Sequence, residues 1–245
     1  MRRTSKLTLV VIVSALAMCV GCARKTVLAD GPAPAFGAAL VESSGGNQIS
    51  TTGTVLPQPL VVQVNDEQGN GVAGAAVAFA GPAGVSFDPA SGVSDASGQV
   101  TTNIALGGMA GRYQLVASTT TKAQKKVDLK VEEIALDYQR ALGRVLDDKY
   151  CARCHNPEST PERVSNYDNL EVKPHAFIEG DVLNKISDAD LNAIISHGGP
   201  ALNKSPLMPP YGYTLSKSEI QALIAYIRMI SDPPYQTPGM VYAQK

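Results

Sequence analysis

The sequence predicts a two-domain protein in which an all-β sandwich precedes an all-α domain. The chain has 245 residues, which is enough for one or two domains. Residues 41–131 are rich in Val, Thr, Ala and Gly and carry turn residues at short, regular intervals, a pattern typical of short strands. From Glu132 onward, apolar residues recur at intervals of three and four, as they do along one face of a helix.

The composition excludes several function classes. The chain has 21 basic and 22 acidic side chains, so it has no global positive charge to attract phosphate, and we expect no nucleic-acid partner. Aromatic residues are scarce and Gly and Pro abundant, which argues against a coiled coil. Because only one apolar run approaches membrane-spanning length, a polytopic membrane protein is also excluded.

Residues 1–21 are predicted to be a signal peptide that exports the chain. An apolar stretch over residues 7–20 is too short for a comfortable transmembrane helix but suits a secretory signal. It follows a basic segment that contains Arg2, Arg3 and Lys6.

The end of this segment resembles a bacterial lipoprotein processing site. Gly21 precedes Cys22, and the resemblance implies that the Cys22 thiol receives a diacylglyceryl group and anchors the chain to a membrane on its periplasmic side. The pattern departs from the family at Cys19, where such sites prefer Leu, and cleavage by ordinary signal peptidase is the alternative. Ala23, in place of Asp, resembles the Gram-negative sorting pattern for the outer membrane. Residues 22–40, with Pro, Gly and several Ala, are predicted to form a flexible tether.

The predicted sandwich occupies residues 41–131. Its last candidate strand alternates cleanly, with Val127, Leu129 and Val131 on one face and charged residues on the other. Turn residues separate the strands, for example at 66–71 and 97–98. The candidate strands are 60–65, 72–80, 93–95, 99–106, 111–118 and 125–131.

Three segments of this region resemble the bacterial Ig-like domains of the invasin and intimin group (Big-1-like). They read Val-Asn-Asp-Glu-Gln-Gly-Asn-Gly-Val, Ser-Asp-Ala-Ser-Gly-Gln-Val and Ala-Gly-Arg-Tyr-Gln-Leu-Val-Ala. The resemblance implies an immunoglobulin-like sandwich, here without the Cys and Trp of antibody domains. Since no cluster of His, carboxylates or aromatic residues marks a site, we interpret the domain as a spacer. Binding of a surface partner or glycan is the alternative.

The C-terminal third contains the chemistry-bearing motif. A predicted helix leads into Cys151-Ala-Arg-Cys154-His155, and C-x-x-C-H is the attachment motif for c-type haem. Two thiols form thioethers with the haem vinyl groups, and the adjacent imidazole becomes the proximal iron ligand. A zinc site would need two further ligands at finger-like spacing. A thioredoxin-like dithiol would open a helix rather than close one, and a structural disulfide would not explain His155.

Residues 134–232 resemble class I c-type cytochromes over their full length. Capping residues predict helices from Ser187 to His197 and from Ser216 to Ile230, with Met208-Pro-Pro before the last helix. The resemblance implies an all-α fold around one covalently attached haem c, with Met208 as the distal ligand opposite His155.

Three other residues are candidates for the sixth ligand. His175 or His197 would give a bis-His haem of lower potential, whereas Met229 lies between apolar helix positions and is interpreted as core.

The sequence departs from the cytochrome pattern at one residue, and it does not identify the carbonyl that accepts from the proximal histidine. Asn156 follows the motif histidine where many relatives have Gly. Relatives also use a Pro carbonyl to accept from the proximal imidazole, and three prolines here are candidates: Pro157, Pro161 and Pro174.

The expected function is single-electron transfer by an exported, lipid-anchored, monohaem cytochrome with unidentified redox protein partners. The cytochrome domain is predicted at 132–233 and a C-terminal tail at 234–245. His/Met ligation leaves no open iron position, so we expect a carrier and not an enzyme. Peroxidases of this type carry two haems, and this chain has one C-x-x-C-H. Two alternatives stay open: an accessory subunit of an oxidoreductase complex, and a surface adhesion protein with secondary haem.

Overall fold

The computed structural model describes residues 35–161 and 163–238. These residues belong to one compact unit. The predicted signal peptide, Cys22 and most of the predicted tether lie outside the described residues. None of the described helices is long and apolar enough to cross a membrane.

The expected β-sandwich is confirmed. One sheet has four strands in the order β1-β3-β7-β5, and the other has five in the order β2-β9-β8-β4-β6. All pairings are antiparallel except that of β2 with β9. The strands are β1 Ala39–Ser44, β2 Ile49–Thr51, β3 Leu60–Asn65, β4 Ala76–Ala80, β5 Ser86–Asp88, β6 Ser91–Val93, β7 Gln99–Ala105, β8 Gly111–Thr120 and β9 Lys126–Leu136.

The sandwich core forms because side chains alternate along each strand. In β3, Leu60, Val62 and Val64 are buried and their neighbours are not, as a two-sided strand requires. They pack against inward-facing residues of the other sheet, including Val77 and Leu115. The two inner faces interdigitate into one apolar core, which is how aligned sheets pack.

Three strands were not expected. The sequence of β1, β2 and β5 shows no clean alternation, and two of these strands have only three residues. Residues 35–40, predicted as part of the tether, are held against the sheets. Ala35 bridges Ala75, and the Ala38 N–H donates to the Asn65 carbonyl at 2.7 Å.

Strand β9 ends at Leu136, five residues beyond the predicted end of the sandwich at Val131. The sequence predicts the end of the strand at Val131 because two charged residues, Glu132 and Glu133, follow it. Glu133 is on the inward face with 0% exposure, and its Oε2 accepts the Gln48 N–H at 2.6 Å. Burial raises the pKa of Glu133 to about 7, because the charged form loses water.

The helical part begins directly after β9. Asp137 caps α1 by accepting the Arg140 N–H. Ser216 forms the expected capping box with Glu219 at α5. Ser187 likewise caps α4. The helices are α1 Tyr138–Tyr150, α2 Ala152–His155, α3 Gly180–Leu183, α4 Asp188–His197 and α5 Lys217–Ile230.

An apolar cluster joins the sandwich to the helices. Ile134 and Leu136 of β9 are buried with Tyr226 of α5, and Ile49 of β2 packs against them. The Arg144 guanidinium on α1 donates to the Ile49 carbonyl. At the start of the predicted tail, the Tyr235 ring lies 4.1 Å from the Arg228 guanidinium.

Candidate functional site

A cavity of about 480 Å³ lies among the helices, and its lining is mainly apolar. Side chains of α3, α4 and α5 contribute Leu183, Ile195 and Leu223. Four predicted site residues line the same cavity although the chain separates them by up to 57 positions, namely Cys151, Cys154, His155 and Met208. The fold therefore brings together the thiols, the imidazole and the thioether that the sequence singled out.

Helix α1 positions the attachment motif. Cys151 is its C-cap, with its N–H donating to the Asp147 carbonyl at 2.8 Å. The motif then forms the single turn α2, closed by the His155 N–H donating to the Cys151 carbonyl at 2.9 Å. This tight turn presents two cysteines and a histidine to one cavity, as expected.

The two motif cysteines do not form a disulfide with each other. Burial raises the pKa of Cys151 to about 12, and the nearby Asp147 carboxyl acts in the same direction. Asp147 is itself buried, its Oδ1 has no hydrogen-bond partner among the described residues, and burial raises its pKa to about 7.

The imidazole of His155 is oriented by a backbone carbonyl. Its Nδ1 lies 2.8 Å from the carbonyl oxygen of His175. Since a carbonyl can only accept, Nδ1 carries the proton and Nε2 keeps its lone pair, the tautomer that a metal ligand needs. None of the three candidate prolines fills this role: the acceptor belongs to the residue after Pro174.

The environment keeps His155 neutral. Its ring centroid lies 4.6 Å from that of Phe177, and burial lowers the pKa of the imidazole. The hydrogen bond to His175 acts in the opposite direction but is the smaller influence. A neutral imidazole with a free Nε2 is ready to bind a metal.

Two glycines fix the loop that contains Met208. Gly198 ends α4 with φ +81°, and a Cβ there would lie 2.8 Å from the Met208 carbonyl oxygen. The Gly199 N–H donates to that same oxygen at 3.1 Å, and a Cβ on Gly199 would lie 2.0 Å from the Ser205 oxygen. The sequence identified these glycines only as the end of a helix.

Tyr211, which sequence reasoning did not single out, ties this loop to the attachment motif. Its hydroxyl donates to the Tyr150 carbonyl at 2.8 Å, next to Cys151, and its N–H donates to Ile195 at 2.9 Å. Nothing in the residues around Tyr211 predicts a hydrogen bond to a residue 61 positions away.

The three alternative sixth ligands are placed differently. His175 lines the cavity, but its Nδ1 pairs with Glu179 at 2.8 Å. His197 is exposed at the end of α4 and does not line the cavity. Met229 packs in the apolar cluster at the sandwich, in agreement with its interpretation as core.

The charge at the cavity opposes the charge of the domain. Residues 132–233 hold ten basic and fifteen acidic side chains. Yet three lysines line the cavity, and no Asp or Glu side chain occurs among the described residues of its lining. The lysines are Lys173, Lys185 and Lys204. Lys173 contacts Asp168 and the Tyr167 carbonyl.

These residues fit a covalently bound haem. The cavity is of the size and apolar character of a cofactor site. Thiols, a neutral imidazole and a thioether are the groups that attach and ligate haem c. No group of three or more His, Cys, Asp or Glu side chains that could hold a metal ion occurs in the described part of the chain.

Comparisons with solved structures gave matches of low similarity. A family 2 glycosyl hydrolase from Bacteroides cellulosilyticus is 15% identical, with a TM-score of 0.31 over 39% of this chain and 14% of that chain. The D0-D1 domain of intimin is 15% identical, with a TM-score of 0.32 over 42% and 49%. The Yersinia pseudotuberculosis adhesin InvE is 15% identical, with a TM-score of 0.30 over 41% and 32%. The chain thus spans less than half of each of these structures.

The family comparison concerns the helical region. No curated protein matches the chain. Residues 139–227 match the family model described as cytochrome c oxidase, cbb3-type, subunit III. The match covers α1, the attachment motif, the Met208 loop and most of α5. The helical part of this chain is therefore a cytochrome c domain, the kind of domain that carries covalently bound haem c and transfers electrons.

Proposed function

We propose that this protein is an exported, lipid-anchored, monohaem cytochrome c that transfers single electrons between redox partners. One observation carries the proposal: Cys151, Cys154, His155 and Met208 line one apolar cavity, inside the region that matches a cytochrome c family.

Each cavity residue has a distinct task in holding the haem. Cys151 and Cys154 would hold the haem through two thioether bonds, one from each sulfur to a former vinyl group. His155 offers Nε2 to the iron because His175 occupies Nδ1. Met208 supplies a soft thioether, which favours the reduced iron and raises the potential. When bound, the haem supplies a one-electron iron couple.

The arrangement suits electron transfer better than catalysis. With imidazole and thioether both ligating, the iron has no open position for a substrate. The lining is mainly apolar, and a low-polarity surround favours a small reorganisation when the charge of the bound group changes. The three cavity lysines offer ammonium groups to carboxylates, either of the haem propionates or of a docking partner.

The geometry of the sandwich supports its interpretation as a spacer. Ala35, the first described residue, bridges Ala75 just before β4, and the Thr119 hydroxyl donates to the Ala76 carbonyl at 2.8 Å. The first described residue therefore lies at the end of the sandwich where β8 ends, at Thr120. Strand β9 continues into α1 at the opposite end, where β8 begins at Gly111. The 11 residues of β9 span about 33 Å. The sandwich thus separates the point of chain entry from the cytochrome domain by about that distance.

A visible spectrum tests the haem assignment. The protein is expressed with haem-maturation machinery, purified, and denatured in a gel that is then stained for haem. We expect a six-coordinate c-type spectrum and a haem-positive band at the mass of the chain. A band without haem would overturn the proposal.

Replacing Cys22 tests the anchor. We expect Cys22→Ser to move the protein from the membrane fraction to the soluble fraction and to abolish incorporation of labelled palmitate. Cys19→Ser, three residues earlier, is the matched control and should remain in the membrane fraction. Equal labelling of Cys22→Ser and wild type would exclude Cys22 as the lipid site.

The family match favours a second candidate, an accessory haem subunit of a membrane oxidase. The matching family is described as a subunit of a cbb3-type cytochrome c oxidase. In this case the protein should migrate with oxidase activity in a native gel of mild-detergent extracts from its own host. Migration as a free chain would favour the independent carrier.

A further inference from the structure

We propose that Arg112, on strand β8 of the sandwich, is a positioning residue for the haem ligand His155. The inference rests on the proposed function, and it assigns the sandwich a role beyond that of a spacer. It follows from a continuous series of contacts that runs from Arg112 through two backbone segments to the imidazole. The two segments are residues 231–233, called here the exit segment, and residues 175–180, called the carbonyl loop.

The first contact joins Arg112 to the exit segment. The Arg112 side chain is only 17% exposed; its guanidinium forms an ion pair with Glu132 and donates through Nη2 to the Ser231 carbonyl at 2.6 Å. Ser231 directly follows α5 and has 0% exposure. A buried carbonyl that loses its donor is costly, so this bond fixes where the chain leaves α5.

The second set of contacts joins the exit segment to the carbonyl loop. The Asp232 N–H donates to the Ile178 carbonyl at 2.7 Å, and the Gly180 N–H donates to the Asp232 carbonyl at 2.9 Å. A Cβ on Gly180 would lie 2.3 Å from the Pro233 oxygen, so the two backbones are in close contact. The segments are paired like short parallel strands and must move together.

The last contacts lie within the carbonyl loop. Glu179 closes it, because Oε1 accepts the Ala176 N–H at 3.1 Å and Oε2 pairs with Nδ1 of His175 at 2.8 Å. The His175 carbonyl is thereby held at 2.8 Å from Nδ1 of His155. On the same loop, Phe177 places its ring against the imidazole. The loop thus fixes both the protonation site and the plane of the ligand.

The carbonyl contact affects the iron through the imidazole. A hydrogen bond from the second ring nitrogen makes the imidazole a stronger donor and fixes its orientation. A stronger donor stabilises the oxidised iron, so a looser contact should raise the reduction potential. Removing the Arg112 donor should therefore change the potential although the side chain belongs to the other half of the molecule.

Arg144 provides a matched control. Its guanidinium also joins the two halves by donating to a backbone carbonyl, that of Ile49, but the Ile49 strand does not pair with the exit segment. If Arg112 acted only by holding the halves together, Arg112→Ala and Arg144→Ala would have the same effect.

The experiment compares wild type, Arg112→Ala and Arg144→Ala as full-length proteins loaded with haem. We expect the midpoint potential to rise in Arg112→Ala and to stay at the wild-type value in Arg144→Ala. Amide hydrogen exchange is measured in parallel. The loss of one hydrogen bond should speed exchange at Gly180 and Asp232 about fivefold in Arg112→Ala alone.

A second variant tests the same series of contacts without changing Arg112. Gly180→Ala forces the carbonyl loop and the exit segment apart. Like Arg112→Ala, it should raise the midpoint potential. Equal potentials in wild type and Arg112→Ala, or equal shifts in Arg112→Ala and Arg144→Ala, would overturn the proposal. Hydrogen exchange on the haem-free chain separates this from the proposed function. A protein that never binds haem refutes the cytochrome, whereas unchanged Gly180 and Asp232 amides in Arg112→Ala refute the link.

Discussion

The two halves of the molecule bury their apolar side chains in different ways. In the sandwich, the inner faces of two sheets interdigitate, and Leu60, Val62 and Ile104 are buried against other protein side chains. In the helical half, buried side chains such as Leu223 and Ile195 surround a cavity of about 480 Å³. The sandwich can be stable through its own packing, whereas the helical half is arranged around a group that the chain does not encode.

The local structure of the halves shows the same contrast. Long strands of the sandwich, such as β8 and β9, pair over ten residues. In the helical half, α2 and α3 have a single turn each, and the described residues between them include a 3₁₀ turn at Tyr167–Asn169. Short helices gain little from their own hydrogen bonds, so their order depends on tertiary contacts. We therefore expect changes at the haem site to affect the helical half selectively.

The largest effect should follow from removing both attachment thiols. We expect Cys151→Ala with Cys154→Ala to lose all covalent haem and to lower the thermal stability of the helices, since the cavity then lacks its attached group. Amides of β3 and β8 should keep their hydrogen-exchange protection. The measurements are a haem stain, helix content by circular dichroism and residue-level exchange. If sandwich amides lost protection together with the helices, the two halves would be one cooperative unit and the comparison would fail.

Loss of the distal thioether should have the next largest effect. We expect Met208→Ala to keep the attached haem but to lose the weak absorption band of iron–sulfur ligation. Its midpoint potential should fall by on the order of 0.1 V. Met229→Ala is the matched control, because Met229 packs at the sandwich junction and should leave the band in place. Persistence of the band in Met208→Ala would direct attention to His175 and His197.

A cavity in the sandwich core should affect stability independently of haem. Leu60 has 1% exposure and is the first residue of β3. We expect Leu60→Ala to lower the free energy of unfolding of the sandwich by about 2–5 kcal/mol. The loss should be the same in the haem-loaded protein and in the variant without attachment thiols. A loss that differs between the two backgrounds would show that the halves stabilise each other.

The smallest effect concerns the pH dependence of the sandwich. Burial raises the pKa of Glu133 to about 7 from 4.5, so the folded state binds its proton more tightly than the unfolded state does. Stability is then highest below pH 4.5 for this group and falls as the pH rises to about 7, by about 3 kcal/mol at most. Glu133→Gln should remove this fall. Glu67→Gln, at an exposed turn, is the control, and an unchanged pH profile in Glu133→Gln would contradict the assignment.

The sequence predicted well those features that depend on neighbouring residues. C-x-x-C-H places its groups within one turn, so Cys151, Cys154 and His155 needed no tertiary information. The capping residues Ser187 and Ser216 set the starts of two helices by local hydrogen bonds. Strands with clean alternation, such as β3, were predicted with correct bounds. The short strands β2 and β5 were missed because three residues show no period.

The tertiary structure decided the features that join distant parts of the chain. The acceptor for His155 is a carbonyl, which every residue has, so no residue type could identify His175. The end of β9 was predicted wrongly because Glu133, a charged residue, faces inward at a site where Gln48 donates to it. The net charge of the domain could not predict that lysines line its cavity, because a net charge does not depend on where each charged residue lies in the fold. By itself, therefore, the sequence identified the candidate haem-binding groups, because their chemistry is set by residue identity and, within C-x-x-C-H, by local spacing. Only the fold decided what orients them, because backbone carbonyls such as those of His175 and Ser231 become acceptors by their position in the fold and not by their residue type.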